Sequence, residues 1–320
     1  MPGKLRSSLL ETVIRRTGVT DPAVKQGPAI GEDAAAIAVG DETLVVSSDP
    51  ISLAAENVGT LGVYVACNDI AVAGVDPRWL TAVLLLPDEG ALDPVVQDID
   101  AAARDVGAAV VGGHTEYVEE LSRPIVSLTA MGVGEFLPTS GATPGDSVIL
   151  TKGAGIEGTA ILAADFGDEL EVSDATVTEG KQLLAAVSVV PDARALRPYA
   201  SAMHDPTEGG VAGALQEMAQ AAGVRIDISR DAVPIRPETR ALTDAAGVDP
   251  LRIFGSGAVA ATVPPDATAD ALSALSSVGI AARCIGDVQN GNAELRIDGE
   301  SIPPVTDELY PLWEEYDSES

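Results

Sequence analysis

Three aspartates, Asp33, Asp49 and Asp69, occupy positions from which carboxylates can bind a metal ion. Apolar runs at 34–39 and 43–46 flank a Gly-Asp-Glu turn and predict a β-hairpin, with Asp33 just before its first strand and Asp49 just after its second. Antiparallel pairing makes these two carboxylates neighbours, and they repel each other unless a cation lies between them. Mg²⁺ suits this position because it prefers oxygen ligands. On the hairpin alone, the alternative is that both acids are surface groups of a very acidic protein.

The third aspartate lies in a predicted helix at 56–74 that is otherwise largely apolar. Burying an unpaired carboxylate in such a helix is costly, and a metal ion shared with Asp33 and Asp49 would satisfy Asp69. The alternative is a structural aspartate that is hydrogen-bonded within the protein.

Two glycine-containing segments have the composition of anion-binding loops. A short buried strand predicted at 108–111 runs into Gly-Gly-His-Thr-Glu at 112–116, where paired glycines let backbone N–H groups approach a phosphate. A second loop at 151–158 contains Lys152 and precedes a helix predicted from Thr159, which also suits an anion. The first segment is equally an ordinary turn sequence. The second lacks Walker A spacing, and Lys152 is alternatively a solvated loop cation.

A motif at 204–210, His-Asp-Pro-Thr-Glu-Gly-Gly, precedes a helix predicted at 211–222. Asp205 or Thr207 either caps that helix or takes part in catalysis. The sequence leaves both interpretations open.

The surrounding elements favour an α+β arrangement, because strands and helices do not alternate regularly as in a doubly wound sheet. Strands are predicted at 79–86, 125–133, 147–150, 225–229, 258–263 and 281–285, and helices at 92–106 and 267–277. The Pro/Gly/Ser/Thr-rich stretch at 138–146 is the best domain boundary, and it divides the 320 residues into domains at 1–140 and 141–320.

The chain is very acidic, with 49 Asp and Glu residues against 19 Lys and Arg residues and a formal net charge of -30. Such a surface repels nucleic acid and anionic membranes, so we expect neither as a partner. The acids are spread along the chain, which favours a host that lives in high salt, where ions screen the repulsion. A single Asp or Glu is therefore weak support for a site, and only its position makes it informative.

Cysteine content and hydropathy predict a cytoplasmic protein. The two cysteines, Cys67 and Cys284, are too few for a disulfide framework or a four-thiolate zinc site, and their apolar surroundings predict buried thiols. The N-terminal segment is predicted to be a helix that is apolar on one side, and we do not expect a signal peptide there. The apolar residues of that side are Leu5, Leu9, Val13 and Ile14. No run reaches the ~20 apolar residues of a membrane span.

Five stretches together resemble the superfamily related to aminoimidazole ribonucleotide (AIR) synthetase, which has the PurM-like fold. Its members include thiamine-monophosphate kinase, selenophosphate synthetase and the hydrogenase maturation protein HypE. The stretches, in the family's order, are Gly-Glu-Asp-Ala-Ala at 31–35, Ser-Ser-Asp at 47–49, Asn-Asp-Ile-Ala-Val-Ala-Gly-Val-Asp-Pro at 68–77, Gly-Gly-His-Thr at 112–115 and the motif at 204–210. Each is a weak signal, but the ordered set is specific and covers most of the chain.

The resemblance implies a PurM-like two-domain fold, with an N-terminal α/β domain that binds ATP and Mg²⁺ and dimerises through its sheet, and a C-terminal α+β domain. It implies Mg²⁺ ligands at Asp33, Asp49 and Asp69. The residues assigned to ATP binding are Gly31, Glu32, Asn68, Gly112, Gly113, Thr115, Asp205, Thr207 and Glu208. Lys152 and His114 are candidates for contact with the transferring group. His114 stands where many relatives have an acid, which leaves the number of metal ions open.

Among the branches, the HypE-like one fits best, through 205–210 and the later segment 251–263. It implies an ATP-dependent enzyme, a homodimer, that phosphorylates or activates a carbonyl, amide or phosphate oxygen of a small-molecule or protein-borne substrate. HypE proper converts a carbamoyl group on its own C-terminal Cys to a cyano group. This sequence ends Tyr-Asp-Ser-Glu-Ser, so that chemistry is not expected unless another thiol substitutes. The alternatives are a nucleotide-binding maturation or assembly factor without turnover, and a kinase similar to thiamine-monophosphate kinase.

Overall fold

Residues 7–52, 54 and 56–319 are described by a computed structural model, in which the chain divides into two units. The N-terminal unit comprises Thr20–Pro28 and Asp33–Phe136. The C-terminal unit comprises the described residues of Met1–Val19, Ala29–Glu32 and Leu137–Ser320. Helix α1 (Ser7–Ile14) confirms the first predicted helix, but its Leu9 and Val13 are exposed rather than packed. Leu5, predicted on the same side, lies outside the described residues.

The N-terminal unit is built on a six-stranded sheet. Its strands are β1 (Val24–Gln26), β2 (Ala35–Val39), β3 (Glu42–Ile51), β4 (Trp79–Leu86), β5 (Ala109–Tyr117) and β6 (Ile125–Val133). The strand order is β1-β2-β3-β6-β4-β5, and only the β4–β5 pair is parallel among these neighbours. The helices of this unit are α2 (Val58–Val72) and α3 (Leu92–Val106).

One face of this sheet is covered by α2. Along β6, buried and partly exposed residues alternate, as they do in a strand with one covered face. At Gly62 of α2, an added Cβ atom would lie 2.6 Å from Leu128 Cδ1 and 2.9 Å from Val126 Cγ2. Glycine at this position therefore allows the helix to approach the sheet closely.

The structure corrects the prediction for residues 108–116. The sequence predicts a short buried strand followed by a glycine loop, whereas β5 continues through both glycines to Tyr117 and is exposed along its whole length. Gly112 and Gly113 pair with Thr81 and Ala82 of β4, so the ladder does not end where the glycines begin. Pairing with a neighbouring strand overrides the local preference of Gly-Gly for a turn.

The C-terminal unit contains a seven-stranded sheet. Its strands are β7 (Ser147–Thr151), β8 (Ala202–His204), β9 (Arg225–Ile228), β10 (Ala260–Val263), β11 (Ala282–Gln289), β12 (Glu294–Ile297) and β13 (Glu300–Ser301). The strand order is β13-β12-β9-β11-β7-β10-β8, and the β9–β12 pair is parallel while the other neighbours are antiparallel. The helices are α4 (Ile156–Asp165), α5 (Asp174–Gln182), α6 (Val190–Leu196), α7 (Gly210–Ala222), α8 (Pro237–Ala246), α9 (Thr268–Ser277) and α10 (Tyr310–Glu319).

The core of this unit lies around its central strands. All four residues of β10 are buried, Thr262 included, so the strand shows no alternation of buried and exposed positions. Helix α4 begins at Ile156, three residues before the predicted start. Within the described residues, every helix is too short or too polar to cross a membrane.

The two cysteines differ in environment. Cys67 of α2 is buried, as predicted, and burial raises the pKa of its thiol to about 12. The prediction that Cys284 is buried is wrong, because it is exposed on β11. Pairing of β11 with β7 is irregular between Cys284 and Gly286, so the regular alternation of buried and exposed residues is interrupted there.

Candidate functional site

The side chain of Ser47 lies among the carboxylates of Asp49 and Asp69 and the backbone carbonyl of Asp33, the three predicted metal-binding residues of the N-terminal unit. Its hydroxyl donates to Asp69 Oδ2 at 2.6 Å. Ser47 Oγ also lies 2.9 Å from the backbone carbonyl oxygen of Asp33 and 3.4 Å from Asp49 Oδ2. The Ser47 hydroxyl has one proton to donate and three acceptor oxygens around it. Lone pairs therefore outnumber protons at this point. An oxygen-rich point with carboxylates is the donor set that suits Mg²⁺.

The β2–β3 hairpin explains this convergence and corrects one detail. Asp49 was predicted to follow the second strand, whereas it lies inside β3, because β3 stays paired with β6 as far as Ile51. The register places Ala35 opposite Val46, so Asp33 falls beside the Ser47–Asp49 segment. The backbone of Asp33 therefore lies beside that of Asp49 as predicted, although the strand boundary was wrong, and the proximity of their carboxylates stays a prediction.

Burial within this cluster is graded. Asp69 is 4% exposed and Asn68 is fully buried in α2, while Asp49 is half-buried and Asp33 is exposed. The cluster thus has one closed side, formed by α2, and one side open to solvent. The assignment of these residues to Mg²⁺ and ATP stays a prediction.

The segment Gly112-Gly113-His114-Thr115 lies on the edge strand β5. His114 is a solvent-facing residue whose Nε2 lies 3.4 Å from Glu116 Oε2, with both side chains more than half exposed. An added Cβ on Gly113 would collide with the backbone of Ala82, whereas the same addition on Gly112 meets no atom within 4 Å. Gly113 is therefore required by strand packing, independently of any phosphate contact.

The ammonium group of Lys152 lies in a buried pocket of protein oxygens in the C-terminal unit. Lys152 Nζ donates to the carbonyl oxygens of Ala186 at 3.1 Å and Ser188 at 2.8 Å, and Asp192 Oδ2 lies 3.0 Å away. Burial lowers the pKa of Lys152 and raises that of Asp192, and in each case the partner's charge opposes the shift. An ammonium has three donors, and three oxygens occupy them here. Contact with a transferring group, which stays a prediction, would require Lys152 to leave these partners.

Gly31 and Glu32, both predicted to bind the cofactor, contact the C-terminal unit to which they belong. The carboxylate of Glu32 accepts hydrogen bonds from the backbone N–H groups of Thr139 at 3.0 Å and Ser140 at 2.9 Å. Gly31 has a φ of 78°, and a Cβ atom there would lie 2.8 Å from the carbonyl oxygen of Glu217. These contacts give both residues a structural role beside the predicted one.

The motif at 204–210 ends in a tight loop, residues 207–210, which we call the glycine loop. Gly209 and Gly210 both have left-handed φ values, 82° and 61°. A Cβ atom on Gly210 would lie 2.5 Å from the carbonyl oxygen of Ile253, so the second glycine is needed for close approach. The carbonyl oxygen of Thr207 accepts from the N–H groups of Gly210 and Gly255, both at 3.0 Å. Glycine conformations and backbone hydrogen bonds thus define the loop.

The capping role considered for Asp205 or Thr207 is not observed. The N-cap of α7 is Gly209, which has no side chain with which to cap the helix. The N–H of Gly209 donates instead to Asp307 Oδ2 at 2.8 Å. Asp205 is fully buried, while Thr207 and Glu208 are partly exposed.

Two further acids, Glu157 and Asp307, lie close to the glycine loop, whose own acid is Glu208. Burial raises the pKa of Asp307 from 3.8 to about 7; hydrogen bonds from Gly209 and Leu309 oppose the shift, and the charges of Glu208 and Glu157 add to it. Burial also raises the pKa of Glu157, against hydrogen bonds from Ser256. Sequence analysis gave no role to Glu157, although it lies in the loop at 151–158, and it missed Asp307, which belongs to no motif and is 98 residues from Gly209.

Comparison with known families matches both units of the chain. Residues 31–134 match the model of the AIR synthase related protein N-terminal domain, and residues 143–298 match that of the C-terminal domain. The carbamoyl dehydratase HypE of Rhodobacter capsulatus is 32% identical over 288 residues, covering 85% of this chain and 82% of that protein. The carbamoyl dehydratase HypE of Rhizobium leguminosarum bv. viciae is 31% identical over 277 residues, covering 81% and 77%.

Solved structures share the fold. HypE in a HypE–HypF complex has a TM-score of 0.77 at 23% identity, covering 94% of this chain and 99% of that chain. A ThiL structure complexed with AMPPCP and TMP has a TM-score of 0.75 at 20% identity, covering 93% and 94%. The predicted two-domain PurM-like fold is confirmed. The chain therefore belongs to the AIR synthase-related family, in the branch that contains HypE.

Proposed function

We propose that this protein is an ATP-dependent enzyme of the HypE type, which activates a carbonyl, amide or phosphate oxygen by phosphoryl transfer. The observation that carries the proposal is the oxygen-rich point at Ser47, where the carboxylates of Asp49 and Asp69 and the backbone carbonyl of Asp33 come together. Relatives that are about a third identical over most of their length are named carbamoyl dehydratases, which favours an amide oxygen of a carbamoyl group as the acceptor.

The three aspartates would hold Mg²⁺, which when bound neutralises phosphate charge. In this proposal the chain's own contribution is positioning. Ser47 keeps the carboxylates of Asp49 and Asp69 close together by sharing its proton, and burial of Asp69 in α2 fixes one of them. Pre-positioned oxygens need little reorganisation during the reaction, which is how such sites accelerate phosphoryl transfer.

We assign nucleotide contact in the C-terminal unit to Asp205, Thr207 and Glu208. Partial exposure supports this assignment for Thr207 and Glu208, whose side chains face solvent at the start of the glycine loop and can therefore meet a ligand. Among structures of the same fold, one HypE is complexed with ATP and ThiL is complexed with AMPPCP, which supports nucleotide binding here.

The test is ADP release by purified protein in molar KCl with Mg²⁺ and ATP. Asp49→Asn is compared with Asp41→Asn, which makes the same change at the exposed turn of the same hairpin. We expect Asp49→Asn to lower the rate about 100-fold and Asp41→Asn to leave it unchanged. Equal rates for the wild type and Asp49→Asn would refute the role of the cluster.

The acceptor is tested by adding candidate substrates to the same assay. Stimulation by a carbamoyl compound supports the dehydratase type, and stimulation by thiamine monophosphate supports the kinase alternative. Binding of ATP without ADP release under any of these conditions would instead support a nucleotide-binding assembly factor. A structure of HypE bound to HypF makes a protein-borne substrate a reasonable arm of this panel.

We further propose that the protein is a homodimer formed through β5. This edge strand is exposed along its length, and its Val110, Val111 and Tyr117 are between 48% and 58% exposed. A long exposed edge strand is a template for pairing with another chain, so a second copy is a natural cover. Sedimentation at several concentrations would detect a dimer, and Val111→Lys should dissociate it.

We also propose that the protein works in high salt. A net charge of -30 produces strong self-repulsion, which salt screens over about 10 Å at 0.1 M and about 3 Å at 1 M ionic strength.

A further inference from the structure

Residues 302–313, which we call the C-terminal strap, run along α7 beside the glycine loop. Gln216 of α7 holds the strap at three points. Its side-chain amide donates to the carbonyl oxygens of Ile302 at 3.0 Å and Pro303 at 2.8 Å, and its oxygen accepts from Val305 N at 3.1 Å. The strap is therefore tied to the helix that follows the glycine loop.

Asp307 is the point at which the strap contacts the glycine loop. Its Oδ2 accepts from Gly209 N at 2.8 Å and its Oδ1 accepts from Leu309 N at 3.0 Å, while the residue is 2% exposed. Gly209 has no side chain that could satisfy its own helix terminus, so the first N–H groups of α7 depend on acceptors from elsewhere. Leaving a buried N–H group without an acceptor destabilises the folded conformation. The carboxylate of Asp307 therefore stabilises the backbone conformation of the loop.

Tyr310 makes a second contact between the strap and the loop. Its hydroxyl donates to Glu208 Oε2 at 3.1 Å. Its ring packs edge-on against Phe254, at 5.9 Å between centroids, and at a tilt against Trp313, at 5.8 Å. The next residue after Phe254, Gly255, donates its N–H to Thr207, so aromatic packing supports the loop from its other side.

We propose that the C-terminal strap holds the glycine loop in its nucleotide-binding conformation, with Asp307 and Tyr310 as positioning residues. The inference rests on the proposed function, since it assumes that this loop contacts the nucleotide. The inference adds that the affinity of the loop for the nucleotide is set by residues about a hundred positions beyond the motif at 204–210.

The charge on Asp307 gives the inference a pH signature. The groups that face its carboxylate are Glu208, Glu157, Tyr310 and the N–H groups of Gly209 and Leu309. Ionised Asp307 accepts from both N–H groups, whereas the protonated carboxyl has one oxygen that carries a proton and so accepts from one of them less well. With a pKa of about 7, the hold on the loop weakens as the pH falls below neutral.

The test is calorimetric binding of AMPPCP with Mg²⁺ in molar KCl between pH 5.5 and 8.5. Asp307→Asn keeps the shape of the side chain but leaves one acceptor oxygen for two N–H groups. The control is Glu308→Gln, because Glu308 lies on the same strap but accepts from Asp249 N at 2.7 Å instead of from an N–H group of the loop. We expect Asp307→Asn to bind about tenfold more weakly than Glu308→Gln at pH 8.5. We expect that ratio to approach one at pH 5.5.

Tyr310→Phe provides a second variant that removes only a hydroxyl, and we expect it to weaken binding by a smaller factor. Affinities of Asp307→Asn that equal or exceed those of Glu308→Gln would overturn the inference. A loss that stays constant across pH would overturn it too, because a general loss of structure does not follow the titration of Asp307. If the wild type fails to bind AMPPCP, the proposed function itself is wrong. If the wild type and Asp307→Asn both bind AMPPCP with equal affinity, the proposed function stands and only the inference about the strap is wrong.

Discussion

Lys152 and Asp192 give the sharpest test of whether a sequence-predicted catalytic residue is instead structural. The side chains are 14% and 1% exposed, and Nζ and Oδ2 are 3.0 Å apart. At an effective dielectric constant of about 20, two unit charges at this separation attract each other by about 5–6 kcal/mol. Removing one member of a buried pair costs about 3–5 kcal/mol, because the other charge stays buried without its partner.

We therefore expect Lys152→Met to lower the free energy of unfolding by about 3–5 kcal/mol, measured by denaturant titration in molar KCl. Replacing both charges, as in Lys152→Met with Asp192→Leu, should restore stability to within about 1 kcal/mol of the wild type. Lys181→Met is the control, since Lys181 is exposed on α5, and it should change stability by less than about 0.5 kcal/mol.

The loss in Lys152→Met should depend on pH in a definite direction. Burial raises the pKa of Asp192 in the folded state, so the unfolded chain binds fewer protons above the ordinary pKa of 3.8. The stability that protonated Asp192 contributes is fully present below pH 3.8 and is lost as the pH rises through the raised pKa of the folded state. The penalty in the single variant should therefore grow from pH 5 to pH 8.

Two outcomes would refute this reasoning. A Lys152→Met variant within about 1 kcal/mol of the wild type would mean that the ion pair is not coupled to folding. A double variant no more stable than the single one would mean that Asp192 is not the group left unpaired. ADP release by a stable double variant then decides the catalytic prediction, because retained activity excludes contact of Lys152 with the transferring group.

Three further predictions concern the N-terminal unit and the charge of the chain. Ser47→Ala should weaken Mg²⁺ binding about tenfold by calorimetry, because the proton shared between the carboxylates is lost. Ser48→Ala is the control and should leave Mg²⁺ binding unchanged, because the hydroxyl of Ser48 bonds Thr129. Gly113→Ala should destabilise the protein by at least about 2 kcal/mol, since its Cβ would meet the backbone of the neighbouring strand, whereas Gly112→Ala should be neutral. The melting temperature should rise steadily from 0.1 M to 3 M KCl, and a flat dependence would contradict the proposed high-salt adaptation.

Patterns set by burial were predictable from the sequence. The bounds of β4, α3 and β6 were predicted as observed, because each segment alternates or repeats its apolar residues against one covered face. The neighbourhood of Asp33 and Asp49 followed from antiparallel pairing alone, even though the end of β3 was placed too early.

Features that depend on distant partners were not predictable. The extent of β5 is set by its ladder with β4, which overrides a local glycine pair. The buried partner of Lys152 lies 40 residues later, on α6, and the acceptor for Gly209 lies on the C-terminal strap. Neither Asp192 nor Asp307 belongs to a motif, and in a chain with 49 acids no local signal separates them from surface residues.

The long reach from Gly209 to Asp307 also has a consequence for biosynthesis. During translation, the amide of Gly209 emerges from the ribosome well before its acceptor, which is made 98 residues later. Until then the two consecutive glycines lack the anchor that fixes them, and nascent α7 begins from a loose end. The glycine loop therefore cannot take its final hydrogen-bonded conformation until the C-terminal strap has been synthesised.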